Sequence, residues 1–214
     1  MSSDLGDRRL YLCTPDRRDL DRFLQAVVRG GVDVVQLRDK ELSPRDLLSR
    51  ARLASRVCHD HGVPFILNDR PDLALEVGAD GVHLGQDDAP WSLARSILGA
   101  GAIVGGSTHS VEDLDRTLGE PVDYISAGPV VPTPTKPGRR PTGSAYVTLA
   151  VERADVPVFV TGGVDPAGVE SLVEAGAAHF VVVRYLTGSS DPEASARALR
   201  TAIASALSKR ADRR

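Results

Sequence analysis

Three helix-to-strand joints in this chain share one pattern: Gly30-Gly31-Val32-Asp33, Gly78-Ala79-Asp80-Gly81 and Gly176-Ala177-Ala178-His179. A glycine just past a helix supplies a left-handed cap, so each joint reads as a helix end feeding directly into a strand. Repetition of such joints is what a succession of parallel βα units requires. Strand-like apolar runs at 9–13, 33–38, 64–68, 81–84, 103–106, 124–127, 158–161 and 180–183 alternate with amphipathic stretches at 19–29, 44–60, 72–77, 91–98, 111–118, 144–153, 167–174 and 192–208. Ser43-Pro44 places proline at a first helical turn, and Ser110 precedes Val111-Glu112-Asp113 as an N-cap. Eight such units in 214 residues predict an α/β single-domain (β/α)8 TIM barrel rather than an open doubly wound sheet, which more often has five or six strands. No linker or low-complexity segment interrupts residues 9–207; residues 1–8 read as a polar tail and 208–214 as a charged one.

In such barrels the active site lies at the C-terminal ends of the strands, and that is where this chain concentrates polar residues. Gln36, Arg38 and Lys40 share the parity of Val34, so period-two geometry sends them inward while Val35 and Leu37 face the helices. A row ending in Gln, Arg and Lys leads from packed core into an anion site. The next two strands end in Asn68-Asp69 and in Gly85-Gln86-Asp87-Asp88. Either Asp69 or Asp88 alone would pass for a helix N-cap. Paired on neighbouring strands beside Arg38 and Lys40, they suit Mg2+, which takes oxygen ligands and usually keeps several waters.

The fifth strand leads into Gly105-Gly106-Ser107-Thr108-His109, where small residues allow close backbone approach and Ser107 can donate to a phosphate oxygen or a heterocycle. His83 reads as a hydrogen-bonded interior residue and His109 as a loop histidine. After the sixth strand comes a long proline-rich loop carrying Thr133-Pro134-Thr135-Lys136, which reads as a lid over an anion. Gly162-Gly163 and Val183-Arg184 follow the seventh and eighth strands, the usual phosphate-binding position in these barrels.

The bulk numbers narrow the partners. A net charge of −3 gives no basic field for nucleic acid. The N-terminus has no apolar signal region, and no apolar run approaches the ~18 residues that span a bilayer. Two cysteines, Cys13 and Cys58, are too few for a secreted disulfide scaffold, so a cytoplasmic protein acting on small molecules is expected, with a homo-oligomer possible.

From Leu10 to about Leu199 the chain resembles the thiamine-phosphate synthase (thiamine-phosphate pyrophosphorylase) family. The resemblance rests on Gln36-Leu37-Arg38-Asp39-Lys40, Leu67-Asn68-Asp69, Val82 to Asp88, and Gly128-Pro129 followed by Thr133-Pro134-Thr135-Lys136-Pro137. It implies that hydroxymethylpyrimidine diphosphate and thiazole phosphate are joined to thiamine phosphate with release of pyrophosphate. By the same resemblance Gln36 through Lys40, Asn68, Ser107 and Lys136 would bind the pyrimidine diphosphate, with Arg38, Lys40, Ser107 and Lys136 acting on the reaction itself. Asp69 and Asp88 would hold Mg2+. Thr133, Pro134, Thr135, Gly163, Val183 and Arg184 would take the thiazole phosphate. Tyr185 departs from the pattern, standing where the family more often has a small residue. A thiazole tautomerase or a silent precursor-binding barrel are the rival readings, and neither needs so complete a diphosphate grip.

Overall fold

The computed structural model describes residues 5–133 and 140–213. Eight parallel strands close into a barrel in chain order: β1 (Leu10–Thr14), β2 (Val34–Leu37), β3 (Phe65–Asn68), β4 (Gly81–Leu84), β5 (Ile103–Thr108), β6 (Tyr124–Ala127), β7 (Val158–Thr161) and β8 (His179–Val182). The helices are α1 (Leu20–Arg29), α2 (Pro44–Asp60), α3 (Pro71–Glu76), α4 (Trp91–Leu98), α5 (Val111–Leu118), α6 (Gly143–Arg153), α7 (Val169–Glu174), α8 (Arg184–Thr187) and α9 (Pro192–Asp212). The glycine joints behave as the sequence predicts. Gly31, Gly78 and Gly176 all have positive φ (106°, 62° and 111°), and the Ser43 and Ser110 side chains accept from the N–H groups of Asp46 and Asp113.

Two packed regions follow from strand parity. Residues facing the helices, such as Val35, Leu37, Leu67 and Val104, join the large outer core. Tyr11, Val34, Ile66, Ile103, Tyr124 and Phe159 fill the barrel interior, and Leu5 joins them. The tail expected at 1–8 is therefore in part structural, because Leu5 is buried beneath the barrel. At the other end, the charged tail expected from residue 208 is helical as far as Asp212, where Lys209 and Arg213 pair with Glu170 and Glu174 on α7. Helix α8, which strand and helix periodicity did not reveal, has only four residues.

The N-terminal face of the barrel carries a repeated device. Asp33, Asp80 and Asp123 each stand just before an even-numbered strand and accept an N–H from the start of the preceding strand: Leu10 at 2.9 Å and Phe65 at 2.8 Å, the first residues of β1 and β3, and Val104 at 2.7 Å, the second of β5. Each carboxylate also meets a partner from the helical layer: Arg200, His59 and Arg95 respectively. Backbone groups that would be orphaned where strands begin are thereby satisfied. Among the described residues, no helix is long and apolar enough to cross a membrane.

Candidate active site

A cavity of about 860 Å³ opens at the C-terminal ends of the strands, within the range typical of small-molecule sites. Of the residues singled out in the sequence, Gln36, Arg38, Lys40, Asn68, Asp69, Asp88, Ser107, Thr133, Gly163, Val183 and Arg184 all line it. Two others do not. Leu37 is fully buried in the outer core, as its parity demands. The Asp39 carboxylate is used up locally, accepting from the N–H groups of Asp16, Glu41 and Leu42, and so shapes the β2 loop instead of facing the cavity. Pro134, Thr135 and Lys136 lie outside the described residues.

The carboxylate pair forms where β3 and β4 end. Asp69 has φ 63°, an unusual backbone for a residue with a side chain, and its N–H is bonded to the His83 carbonyl at 2.9 Å. Its Oδ2 lies 3.0 Å from Lys40 Nζ. Asp88 folds back so that Oδ2 accepts from Gly85 N at 2.7 Å. The two carboxyl groups are in hydrogen-bonding contact with each other. Burial, reinforced by Asp88, pushes Asp69 above the usual carboxylate range. Burial acts on Asp88 in the same sense, but contact with Asp69, the Gly85 N–H and Lys40 outweigh it and hold Asp88 below that range. Such a pair needs a proton or a cation between its members. The donors are all oxygen, and among the described residues no cluster of three or more His, Cys, Asp or Glu could hold a metal. Mg2+ makes no such demand, since one or two carboxylates suffice when water and phosphate oxygens complete its shell. The pair fits that ion.

Gln86 has an architectural part that the sequence did not disclose. Its Nε2 donates to the Ser107 carbonyl (2.7 Å) and to Thr117 Oγ1 (2.8 Å), while its Oε1 accepts from Arg116 (3.0 Å). This ties the loop after β4 to β5 and α5. Arg116 lines the cavity, as does Tyr185, so the departure noted at Tyr185 falls inside the site.

The glycines of β5 differ from expectation. A Cβ on Gly105 would come within 2.2 Å of the Tyr124 ring, so this glycine makes room for a neighbouring side chain rather than for a ligand. At Gly163 (φ +76°) a Cβ would lie 2.8 Å from Val131, so close packing of the β6 loop also requires glycine there. That loop is closed at its base: Thr142 N donates to the Pro129 carbonyl (2.8 Å) and Gly143 N to that of Val130 (3.2 Å). His109 bonds the Gly128 carbonyl through Nδ1 and supports the same base.

The cavity floor was the main omission. Tyr11, Cys13, His83, Tyr124 and Ser126 line it together with Gln36 and Ser107. Strand parity alone would have placed Tyr11 and Cys13 inward. His83 is an interior residue with both ring nitrogens bonded, as the sequence reading expected.

Fold and site together define a (β/α)8 barrel whose strand ends carry a cavity lined by cations and paired carboxylates. Residues 10–186 match the family described as thiamine monophosphate synthase, and the chain belongs to that family. It is 43% identical over 211 residues to a thiamine-phosphate synthase of Acidothermus cellulolyticus, covering 96% of this chain and 100% of that protein. A thiamine-phosphate synthase of Thermosynechococcus vestitus is 42% identical over 195 residues; these cover 91% of this chain but only 56% of that longer protein. Among solved structures, a thiamine phosphate pyrophosphorylase from Pyrococcus furiosus superposes with a TM-score of 0.84 at 27% identity, covering 93% of this chain and 96% of that one.

Proposed function

We propose that the chain is a thiamine-phosphate synthase that joins hydroxymethylpyrimidine diphosphate to thiazole phosphate and releases pyrophosphate. The observation that carries this reading is the Asp69–Asp88 pair, with Asp69 3.0 Å from Lys40 Nζ, in a cavity that Arg38 also lines. A tautomerase-like barrel would have no need of a diphosphate grip of this kind.

In the proposed reaction the carbon–oxygen bond to the diphosphate breaks first. Negative charge builds on the departing pyrophosphate, where Arg38 and Lys40 can stabilise it, with Lys136 assigned the same part from the sequence. Mg2+, held by Asp69 and Asp88, would supply further neutralisation of the diphosphate oxygens. Gln36, Asn68 and Ser107 would bind and orient the pyrimidine. The second substrate would lie toward Thr133, Gly163, Val183 and Arg184, its ring nitrogen capturing the pyrimidine methyl cation. A neutral nitrogen nucleophile needs no strong general base. Closure by the loop from Pro129 to Thr142 would keep water from trapping the cation. Leu37 and Asp39 would act through packing and loop shape rather than by touching substrate.

Calorimetric titration with hydroxymethylpyrimidine diphosphate tests the grip separately from turnover. Saturable binding that tightens about tenfold or more with Mg2+, a coupling of about 1.4 kcal/mol, is expected. Affinity for thiazole phosphate alone would transfer the chain to the tautomerase-like class.

A further inference from the structure

The cavity floor is a single run of buried hydrogen bonds. Gln36 Nε2 lies 2.8 Å from Tyr11 Oη, and Tyr11 Oη lies 2.8 Å from Tyr124 Oη. Tyr124 Oη lies 3.0 Å from His83 Nδ1, and His83 Nε2 lies 2.8 Å from Ser107 Oγ. All five side chains are buried.

The first member fixes one end of this run. An amide nitrogen only donates, so Tyr11 Oη accepts from Gln36. Burial pushes both phenols well above their ordinary pKa, so each keeps one hydrogen to pass on. A hydroxyl that accepts still has its own hydrogen, so Tyr11 can give its hydrogen to Tyr124, and in that one-way sense Tyr124 gives its own to His83 Nδ1. A ring nitrogen that accepts carries no proton, so the neutral imidazole bears its hydrogen on Nε2 and donates it to Ser107. Ser126 Oγ also donates toward Ser107 Oγ, at 3.5 Å. With its acceptor sites filled, Ser107 has its own hydrogen left for the cavity. Cys13 Sγ, donating to Gln36 Oε1 at 3.1 Å, holds the amide in the orientation that starts the run.

We propose that Tyr11, Tyr124 and His83 are positioning residues: their one-way run of hydrogen bonds holds His83 as the Nε2–H tautomer, so that Ser107 presents a hydrogen and selects an acceptor atom on the bound substrate. The inference rests on the proposed function for the identity of that substrate, the pyrimidine diphosphate. The opposite arrangement is equally definite. With the Gln36 amide turned over, every hydrogen would run the other way, His83 would carry Nδ1–H, and Ser107 would become an acceptor.

Nitrogen-15 NMR of the histidine-labelled, ligand-free protein at neutral pH distinguishes the two, with the His83 signals assigned by their loss in His83→Gln. A protonated Nε2 and an unprotonated Nδ1 are expected; a protonated Nδ1 would overturn the proposal. This readout needs no turnover, so its failure is separable from failure of the synthase reading. Kinetics give the second arm. A glutamine amide can accept from Tyr124 or donate to Ser107, so kcat/KM for the pyrimidine diphosphate in His83→Gln should stay about tenfold above that of His83→Leu, the effect of one buried hydrogen bond. KM for the thiazole phosphate should be alike in the two variants. Equal losses in both, at equal thermal midpoints, would also overturn the positioning role.

Discussion

Replacement of Asp33 by alanine should destabilise the barrel severely while sparing its chemistry. The residue is nearly buried at the start of β2, on the face opposite the cavity. Its Oδ1 accepts from Leu10 N at 2.9 Å and its Oδ2 from Arg9 N at 3.0 Å. Backbone hydrogen bonds to a charged acceptor contribute about 1.5–3 kcal/mol each, and the Leu10 N–H would be left buried without its acceptor. Arg200 also approaches Asp33 Oδ2, at 2.8 Å, but its side chain is 48% exposed, so that ion pair adds under about 1 kcal/mol. The two bonds sum to about 3–6 kcal/mol and the ion pair adds little, which is about 10–15 °C in Tm for a domain of this size. Urea unfolding should show a lower midpoint at unchanged slope, and kcat/KM of the folded variant should stay within about twofold of the parent. A loss below about 1 kcal/mol, or lost activity at the parent's midpoint, would refute the division between a structural and a working face. Asp80 and Asp123, which repeat the contact, should behave alike.

Gly105→Ala should force the Tyr124 ring aside, costing about 1–3 kcal/mol by overpacking and raising KM for the pyrimidine diphosphate through displacement of the floor. An unchanged unfolding midpoint would contradict that packing. Burial, with Arg9 beside the ring, lowers the His179 pKa below its ordinary 6.5, so as pH falls the unfolded chain takes up the proton first. The contribution of His179 is therefore complete above about pH 6.5 and is lost as pH falls through its lower folded-state value. His179→Gln should flatten the pH dependence of stability in that window, as read by denaturant midpoints; an unaltered slope would count against it. Asp69→Asn should reduce kcat by about a hundredfold or more, the scale of losing one charge-stabilising group. Asparagine tolerates the φ of 63° as aspartate does, so Tm should hardly move, and a large fall in Tm would assign Asp69 a structural role instead.

Local signals carried the fold. Glycine caps, serine N-caps and strand parity are properties of neighbouring residues, and they located all eight strands to within a residue or two at most ends. Helix α8 escaped because Arg184-Tyr185-Leu186-Thr187 is too short for a helical period, and its N-cap Val183 makes no side-chain cap. The cations Arg38 and Lys40 were legible because both follow one strand, and Asp69 and Asp88 because each lies within a few residues of the end of its own strand. The cavity floor was not, since Tyr11 and Tyr124 meet across 113 residues of chain. Gly105 was misread for the same reason: the ring that excludes a Cβ there belongs to the next strand. Asp39 looked like part of a charged binding motif, yet it serves the backbone of its own loop, a role that single-residue chemistry does not distinguish from ligand binding.

The central claim is tested most directly by supplying the protein with hydroxymethylpyrimidine diphosphate, thiazole phosphate and Mg2+ and measuring thiamine phosphate and pyrophosphate together. Equal amounts of the two products, both abolished by a chelator, are the predicted result. Binding of either substrate with neither product formed would contradict the account.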